Sequence, residues 1–537
     1  MKAKKTGTAP KVKGYSEAGA SMIRRALKSF LPDSGSPNED INRNNRTLRQ
    51  RARLLYMSSP VATSAINTNR TKVVGTGLTL KSTVDRDVLG LTPEVAKDWQ
   101  RRTEAEFRLW AGKRENCDAL GLNNFTAIQQ LALKSWLVSG DVFVLLKRQK
   151  QSPLNPYSLR LHVVEADRVC TPTEYGGGLS ASGFIEGKIP EGKPGAGHTV
   201  YDGVEVDSGG RVAAYHICSG YPQEYTTESL TWNRVLAVGA RTGMPNILHI
   251  MDSERPDQYR GVSYLAQIIE PLLQLRRYTE SELMAALIQS FFTAWIETET
   301  SAMEIPFNEV GPGDIDGAGT EGEDQVSRSE NEYEMGPGTV NHLAEGEKIT
   351  FGNPNIPTAG FDAFTKSICR QMGAALELPY DVLLKEFNSS YSASRGALLE
   401  AWEGVKMRRA WFVDDFCQPV YQAWLSEAVA LGRIKASGFF DDPLLREAWC
   451  GARWIGPVQG SLDPLKEAKA DILLIDRGIK THEQVTRERG GGDWEENMEE
   501  LAREMEMLRS AGIDPARAEA ANLNAEGEEG DTSPAEE

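Results

Sequence analysis

The sequence predicts an α+β fold, because helical and strand-like segments occupy separate parts of the chain. Apolar residues recur at spacings of three and four between residues 47 and 139. They alternate with polar residues between 142 and 251, and return to helical spacing after residue 261. Separate runs of helices and strands are typical of α+β proteins. At 537 residues the chain is long enough for several domains and a large core.

The first half begins with helices separated by proline and glycine. Ser59-Pro60 breaks the first helix, and Gly140 ends the last one. Gly75-x-Gly77 lacks the third glycine and the directly following helix of a dinucleotide site. The predicted elements are helices at 47–56, 60–73, 93–111 and 125–139, with a strand at 73–80.

Alternating segments follow as far as residue 251. Asp207-Ser-Gly-Gly210 lies between two of them and predicts a hairpin. The glycine-rich stretch 176–197 is predicted to be a surface loop. The predicted strands are 142–146, 159–164, 199–206, 212–217 and 247–251.

The second half predicts two long helices joined by an acidic insertion. The first, Pro271–Ile296, would be about 39 Å long at 1.5 Å per residue. Residues 297–347 carry fourteen acidic side chains and one basic side chain, Arg328. A helix from Phe361 to Leu376 follows, and Pro379 stops it.

A polar joint up to Ser394 connects this helix to another, Gly396–Leu431, in which Pro419 predicts a kink. Farther on, Asp463-Pro464 predicts a helix start, and Thr481 with Gln484 a capping box. A last helix is predicted for Asp493–Ser510, before an acidic tail.

Composition and charge exclude several classes of protein. The net charge of −16 argues against a protein that wraps the phosphate backbone of nucleic acid. Six scattered cysteines without a CxxC pair indicate free thiols in a reducing compartment. The most apolar stretch, Leu283–Ile296, is shorter than the about 20 residues of a membrane span, and no signal peptide is recognised. The sequence therefore predicts a soluble protein.

Motifs that carry chemistry are incomplete. Gly187–Pro194 resembles a phosphate loop, but Pro194 stands where magnesium binding needs a hydroxyl. The stretch beginning at Asp314 resembles a calcium loop, yet Ala318 and Gln325 occupy ligand positions. His216 and Cys218 share one strand face, and we interpret them as core residues rather than metal ligands. No catalytic residue, metal or cofactor is predicted.

The N-terminal 53 residues are strongly basic. They contain thirteen Lys or Arg and four acidic side chains. One hypothesis is a solvated, flexible arm. The other is an arm that contacts nucleic acid or an acidic partner.

Several stretches, taken in order, resemble the lambda-type portal family of tailed bacteriophages. They are Arg51–Pro60 leading to Val73–Gly77, Ser135–Val144, Arg260–Leu265, Glu377–Tyr380 with Asn388–Arg395, and Leu462–Glu467. The resemblance covers about residues 45 to 490. It implies a portal fold with an α/β wing, a helical stem, an inserted clip and a helical crown, assembled into a ring that usually has twelve subunits.

The resemblance also assigns segments of the chain. It implies a basic flexible arm (1–53), an α+β wing (54–260), a stem helix (261–296), an acidic clip insertion (297–350), a second stem helix (351–377), a tunnel loop (378–394), a long kinked helix (395–431), crown and peripheral helices (432–511) and an acidic disordered tail (512–537).

Two sets of site residues follow from these assignments. The tunnel loop is expected to contact DNA through Lys385, Asn388, Ser389, Ser390, Tyr391 and Ser392. The clip is expected to bind the packaging motor and the connector through Glu321, Glu323, Asp324, Glu330 and Glu332. Lys385 is equally compatible with an ordinary exposed lysine.

The function implied is a DNA channel at the unique capsid vertex rather than an enzyme. Double-stranded DNA would be packaged through the ring by the terminase large subunit and later ejected. The other expected partners are a head–tail connector protein and the major capsid protein or a scaffold, with no membrane. The protein would be assembled in the host cytoplasm and remain in the virion.

Two alternatives remain open at the level of sequence. A packaging-associated nuclease would use a metal and acidic residues such as Asp314 and Asp316. A minor head or scaffold protein would bind DNA through the basic arm.

Overall fold

The structure is a computed structural model, and the statements below refer to the residues that it describes. These are 24–30, 32, 35–176, 186–222, 224, 229–290, 294–298, 347–351, 360–386, 391–460, 463–490 and 492–512. The α+β fold class is confirmed. The chain divides into two compact units, Met1–Gln267 with Leu376–Glu537, and Ile268–Ala375.

The first unit begins with a π-helical turn, Asn38–Asn42, that continues into α1 (Arg43–Ser58). Ser59 separates α1 from α2 (Pro60–Val73), whose bounds are those predicted. The predicted flexible arm is therefore wrong for residues 38–53. Arg49, inside that segment, is buried, because its helix packs on the rest of the unit.

The strand predicted at 73–80 is also wrong over most of its length. Only its end belongs to β1 (Thr79–Ser82). Gly75 and Gly77 have φ angles of +56° and +119°, and a Cβ on Gly77 would lie 2.5 Å from the Thr126 hydroxyl. The alternating sequence is a turn here, because both glycines adopt left-handed backbone conformations.

Four helices follow β1. They are α3 (Arg86–Leu89), α4 (Pro93–Ala111), α5 (Arg114–Cys117) and α6 (Phe125–Ser139). The predicted bounds of α4 and α6 are confirmed. Their start positions are fixed by side chains, because Thr92 and Asn124 accept hydrogen bonds from the first-turn N–H groups of Val95 and Ala127.

Two antiparallel sheets lie in the middle of this unit. One places β2 (Asp141–Arg148) between β3 (Leu159–Glu165) and β9 (Ile247–Met251). The other is a five-stranded meander of β4 (Glu186–Lys188), β5 (Thr199–Tyr201), β6 (Val204–Val206), β7 (Val212–Cys218) and β8 (Trp232–Leu236).

The meander confirms one sequence prediction and corrects another. The Asp207–Gly210 hairpin joins β6 to β7, and the Gly210 N–H donates to the Asp207 carbonyl at 3.1 Å. The single strand predicted at 199–206 is instead two strands. Asp202 and Gly203 have φ angles of 45° and 86°, and these angles turn the chain back on itself.

The second unit contains two helices and a hairpin-like strand pair. It consists of α7 (Ile269–Ser290), β10 (Ala294–Thr298), β11 (Glu347–Phe351) and α8 (Phe361–Ala375), with β10 antiparallel to β11. The Tyr278 ring of α7 stacks on Phe361 and meets Phe364 edge-on. The helix predicted to run to Ile296 ends earlier, because the following residues pair as a strand.

The chain then returns to the first unit as α9 (Tyr380–Leu384), α10 (Tyr391–Phe412) and α11 (Gln418–Ala430). A π-helical turn, Val413–Cys417, separates α10 from α11. It ends two residues before Pro419, where the sequence predicted a kink. The wide turn leaves Pro419 near the start of α11, a position where its missing N–H costs little.

The C-terminal part packs back onto the N-terminal part. It contains α12 (Pro443–Trp449), β12 (Ala452–Ile455), α13 (Pro464–Asp476), α14 (His482–Glu488) and α15 (Trp494–Ser510). Strand β12 pairs antiparallel with β1. The predicted Asp463 cap and Thr481–Gln484 capping box are both confirmed.

The core joining these parts is aromatic. Phe107 of α4 meets Phe125 of α6 at 5.6 Å and Trp424 of α11 at 5.1 Å, both edge-on. Trp110 and Tyr421 are also fully buried. Edge-on aromatic pairs add about 1 kcal/mol each beyond their buried area, so this cluster fixes α11 against α4 and α6.

Candidate functional site

The DNA-contacting loop predicted over residues 378–394 is wrong as one continuous loop, because that range contains α9 and the first residues of α10. What remains of it connects α9 to α10. Lys385 follows the last residue of α9, and Tyr391 and Ser392 begin α10. Asn388, Ser389 and Ser390 lie outside the described residues, and so do all five acidic residues predicted for the clip. Lys385 is therefore the predicted site residue whose contacts can be given.

Helix α2 holds the entry to this loop. Ser64 Oγ donates a hydrogen bond to the Leu383 carbonyl at 2.8 Å, and Lys385 Nζ donates to Thr68 Oγ1 at 2.8 Å. Asp381, Val382 and Leu383 of α9 are buried. The backbone before Asn388 is thus fixed on α2 by both backbone and side-chain contacts.

Two residues with left-handed backbone conformations bracket α9. Glu377 has a φ of 52° and Lys385 a φ of 60°. Each such residue costs about 1–2 kcal/mol when it is not glycine. Strain of this kind persists where neighbouring contacts hold the backbone, and it is common at functional sites.

Arg408 of α10 holds Glu377, the residue with a left-handed backbone conformation that precedes α9. Its guanidinium donates to Glu377 Oε2 at 2.6 Å and to Asn69 Oδ1 at 3.3 Å. The same group lies 5.0 Å from the centre of the Tyr264 ring, and the Tyr264 hydroxyl donates to the Leu376 carbonyl. The start of α9 is thereby tied to α10 and α2.

The environment of Lys385 is polar and mildly basic. Partial burial, and then the charge of Lys72, lower the pKa of the Lys385 ammonium from its ordinary value. A shallow groove beside it is lined mainly by hydroxyl and amide groups. Its lining residues are Met57, Ser58, Ser59, Pro60, Thr63, Ser64, Asn67, Thr68, Thr71, Lys72 and Lys385. Such a surface offers a few weak contacts to an anion rather than a tight grip.

A second polar feature, missed by sequence reasoning, is a buried ion cluster around Asp141 at the start of β2. Arg260 Nε lies 2.6 Å from Asp141 Oδ2, and Arg49 Nη2 lies 3.6 Å from Asp141 Oδ1. Arg260 Nη1 also lies 2.8 Å from Asp202 Oδ2. The side chains of Asp141 and Arg260 are fully buried. We call Arg49, Asp141, Asp202 and Arg260 the buried ion cluster.

Electrostatics keep this cluster charged. Burial alone would raise the pKa of Asp141, but the charges of Arg260 and Arg49 outweigh burial and hold that pKa well below its ordinary range. The Gly261 N–H adds a hydrogen bond to Asp141 Oδ2 at 3.2 Å. A buried pair with this many partners is costly to break, because removing one member leaves an unpaired buried charge.

Two glycines let the backbones approach at this point. A Cβ on Gly261 would lie 2.0 Å from the Gly140 carbonyl oxygen, and a Cβ on Gly140 would lie 2.6 Å from the Gly261 oxygen. The cluster therefore joins Ser135–Val144 to Arg260–Leu265, two of the stretches that carried the family resemblance. The signals available in the sequence were Gly140-Asp141 and Arg260-Gly261.

A third cluster lies in the five-stranded sheet around Glu205. Arg234 Nε lies 2.6 Å, His198 Nδ1 2.7 Å and His216 Nε2 3.2 Å from its carboxylate oxygens. Burial alone would raise the pKa of Glu205, but hydrogen bonds from His216, Arg234 and His198 lower it to about 2. His216 thus belongs to this cluster, and it is buried, as predicted for a core residue.

The described part of the chain offers neither a metal centre nor a membrane span. It contains no group of three or more His, Cys, Asp or Glu side chains placed to hold a metal ion. No helix in it combines the length and the apolar character that crossing a bilayer requires. Asp314 and Asp316, the acids of the nuclease hypothesis, lie outside the described residues.

Comparison with known proteins gives related sequences over almost the whole chain. Portal protein B of Escherichia phage lambda is 23% identical over 522 residues, covering 94% of this chain and 91% of that protein. The portal protein of Escherichia phage N15 is 23% identical over 514 residues, covering 94% and 92%. Among solved structures, a chain from the neck of a native GTA particle, computed with C12 symmetry, is 13% identical with a TM-score of 0.40, covering 83% of this chain and 92% of that one.

The family match extends across both compact units and the predicted loop. Residues 24–409 match the family described as phage portal protein, lambda family. This range includes α1, the buried ion cluster, the whole second unit and most of α10. The chain belongs to the lambda family of phage portal proteins.

Proposed function

We propose that this chain is the subunit of a ring-shaped channel at the unique vertex of a phage capsid. Viral double-stranded DNA passes inward through the ring during packaging and outward during ejection. The single observation that carries the proposal is the family match over residues 24–409. Twelve copies form the ring, and portal proteins of this family are structural components of the virion rather than enzymes.

Within the ring, the loop between α9 and α10, together with the first residues of α10, is the DNA-contacting collar. Lys385, Asn388, Ser389, Ser390, Tyr391 and Ser392 supply its contacts. The geometry supports this role because Glu377 and Lys385 are fixed at the two ends of α9, so that the loop begins from a rigid base. One lysine per subunit, repeated around a ring, gives many weak phosphate contacts.

Weak contacts suit a channel because the duplex has to slide. Each phosphate that a cation neutralises adds salt-dependent affinity, so a densely basic wall would hold the DNA in place. The chain has a net charge of −16, and the Lys385 ammonium already donates a hydrogen bond to the Thr68 hydroxyl. The long-range field of the subunit therefore opposes tight binding, and single cations provide local contact.

The acidic insertion between β10 and β11 is the docking site for other components of the particle. Glu321, Glu323, Asp324, Glu330 and Glu332 face the terminase large subunit during packaging and the head–tail connector afterwards. The support is the strong acidity of residues 297–347. The major capsid protein or a scaffold contacts the outer surface of the ring.

Electron microscopy of the purified full-length chain tests the proposal. Negatively stained particles are expected to be rings with a central hole. Particles that stay monomeric under every assembly condition would overturn it. Incubation of the same sample with linear duplex DNA and magnesium is expected to leave the DNA intact, whereas cleavage would favour a nuclease.

A further inference from the structure

Helix α15 presents an apolar stripe that the described chain leaves uncovered. Met498, Leu501, Met505 and Leu508 follow one another at spacings of three, four and three, and they are 44%, 40%, 39% and 38% exposed. Such spacing places all four side chains on one narrow face, as in the seam of a two-helix coiled coil. No residue of α15 is buried.

Ion pairs on another face of α15 connect this end of the chain to α4 and β1. Lys97 Nζ of α4 lies 2.8 Å from Glu495 and 3.1 Å from Glu499, and Arg101 Nη2 lies 2.6 Å from Glu499. Lys81 of β1 pairs with Asp493 at 2.9 Å. The Trp494 ring at the start of α15 also stacks on His482 of α14. The apolar stripe lies on a different face of the helix from Glu495 and Glu499.

The charge of α15 restricts what can cover the stripe. Residues 494–510 contain six glutamates and two arginines, a net charge of −4. Two copies of α15 would repel each other, and nucleic acid would be repelled as well. The surface fits a basic segment with apolar residues at matching helical spacing.

The N-terminal arm of the same chain has this composition. Residues 1–30 contain eight Lys or Arg and one Glu. Ile23, Leu27 and Phe30 recur at spacings of four and three, with Arg24, Arg25 and Lys28 between them. Phe30 is 70% exposed, so its ring is also uncovered.

The arm has ample reach. Residues 1–30 precede the turn in which Asp40 pairs with Arg255. Thirty residues span up to about 100 Å when extended. That length allows the arm to cross from one subunit to the next.

We propose that the basic arm of one subunit, residues 1–30, docks on the acidic apolar stripe of α15 of a neighbouring subunit. This inference rests on the proposed ring. It gives the arm an acidic protein partner rather than DNA. The contact would link neighbouring subunits through apolar burial and charge complementarity, and it would weaken as salt rises.

Cysteine cross-linking of full-length chains tests the contact. All six native cysteines are buried, so an introduced surface thiol reacts selectively. Two differently tagged chains, Phe30→Cys and Leu501→Cys, are assembled together and treated with a short bismaleimide. We expect a product that carries both tags, with a yield at least tenfold lower at 1 M salt or when Met505→Glu is added to the second chain.

The matched control replaces Leu501→Cys with Leu154→Cys, since Leu154 is 86% exposed and lies on the loop between β2 and β3. Met498→Cys serves as a second probe of the stripe if Leu501→Cys does not fold. Equal linking to position 154 would overturn the inference.

The same samples are imaged by electron microscopy. Failure of the arm contact can then be distinguished from failure of the proposed ring. Rings without a 30–501 or 30–498 link would overturn the arm contact and leave the proposed function standing. Absence of rings under every condition would overturn both.

Discussion

The buried ion cluster and helix α15 use the same chemistry with opposite results. In both, arginine or lysine pairs with carboxylates at 2.6–3.6 Å. Around Asp141 the charges are shielded from water, and every member depends on the others. At α15 the pairs lie at the surface, where water and salt screen them. Burial, rather than the number of ion pairs, therefore determines how much stability each region loses when one pair is broken.

The difference corresponds to two tasks. The buried ion cluster joins α1, the start of β2 and the Gly261 segment that leads towards the second unit. Breaking this joint would leave buried charges unpaired, which favours a single geometry. Helix α15 keeps its apolar stripe exposed, which suits a surface that another subunit covers.

The largest expected effect comes from opening the buried ion cluster. Arg260→Ala removes the main partner of Asp141 and leaves a fully buried carboxylate without its strongest counter-charge. We expect the free energy of unfolding to fall by about 3–5 kcal/mol. Urea denaturation of the purified full-length chain measures this change.

The matched control is Arg114→Ala, which breaks a pair with Glu115 whose side chains are 62% and 65% exposed. We expect no measurable change in the free energy of unfolding there. A similar cost for both substitutions would contradict the claim that burial makes the difference.

The next largest effect is the loss of folding stability at low pH that protonation of Glu205 causes. Its pKa is lowered to about 2 in the folded protein, whereas an unfolded glutamate titrates near 4.3. The stabilisation is therefore present above pH ~4.3 and is lost as pH falls towards 2. We expect a loss of about 2 kcal/mol over this window.

Urea denaturation at a series of pH values measures the loss, and Glu205→Gln is the comparison. The variant should be less stable at pH 7 and should show a flatter decline between pH ~4.3 and 2. Parallel curves for the two proteins would show that Glu205 does not contribute to the acid sensitivity.

A smaller effect is expected for the attachment of α15. Glu499→Gln removes the shared partner of Lys97 and Arg101, and we expect a small loss of stability that is confined to this helix. Hydrogen exchange should be faster in residues 494–510 and unchanged in β2. High salt should reproduce the effect in the unmodified protein. Protection of α15 that is insensitive to salt would contradict attachment by surface charge.

The smallest effect on stability is expected for Lys385→Ala. Its ammonium makes one described hydrogen bond, to Thr68, at an exposed position, so the cost should stay below about 0.5 kcal/mol. Rings should assemble normally, yet particles built with the variant should retain less DNA. Shortening the 388–392 run should do the same. Normal DNA length and infectivity in both variants would count against the proposed collar.

Sequence reasoning succeeded where local chemistry decides the structure. The bounds of α2, α4 and α6 follow from a proline at the first helical position or a capping side chain, and the cap of α14 from Thr481 with Gln484. Such signals lie within a few residues of the element that they start, so no distant contact can override them easily.

It failed where distant residues decide. Apart from the glycines beside Asp141 and Arg260, nothing local indicates that these charged residues are buried together, because their residue types are usually exposed. The strand predicted at 73–80 is a turn, since Gly75 and Gly77 adopt left-handed angles that alternation alone does not reveal. The predicted extension of α7 to Ile296 failed because β11, about fifty residues later, pairs with that stretch.

The candidate site was predicted only in part. Polar residues after Leu384 indicated a loop, but its support by Ser64 and Thr68 of α2 involves partners more than three hundred residues away. The family resemblance, rather than spacing or charge, gave that loop its role.

Native mass spectrometry of the purified full-length chain tests the central claim most directly. A dodecameric ring of the 59.1 kDa chain predicts a species of about 709 kDa, present at moderate salt and persisting on dilution. A single species at 59.1 kDa under every assembly condition would contradict the ring, and with it the channel.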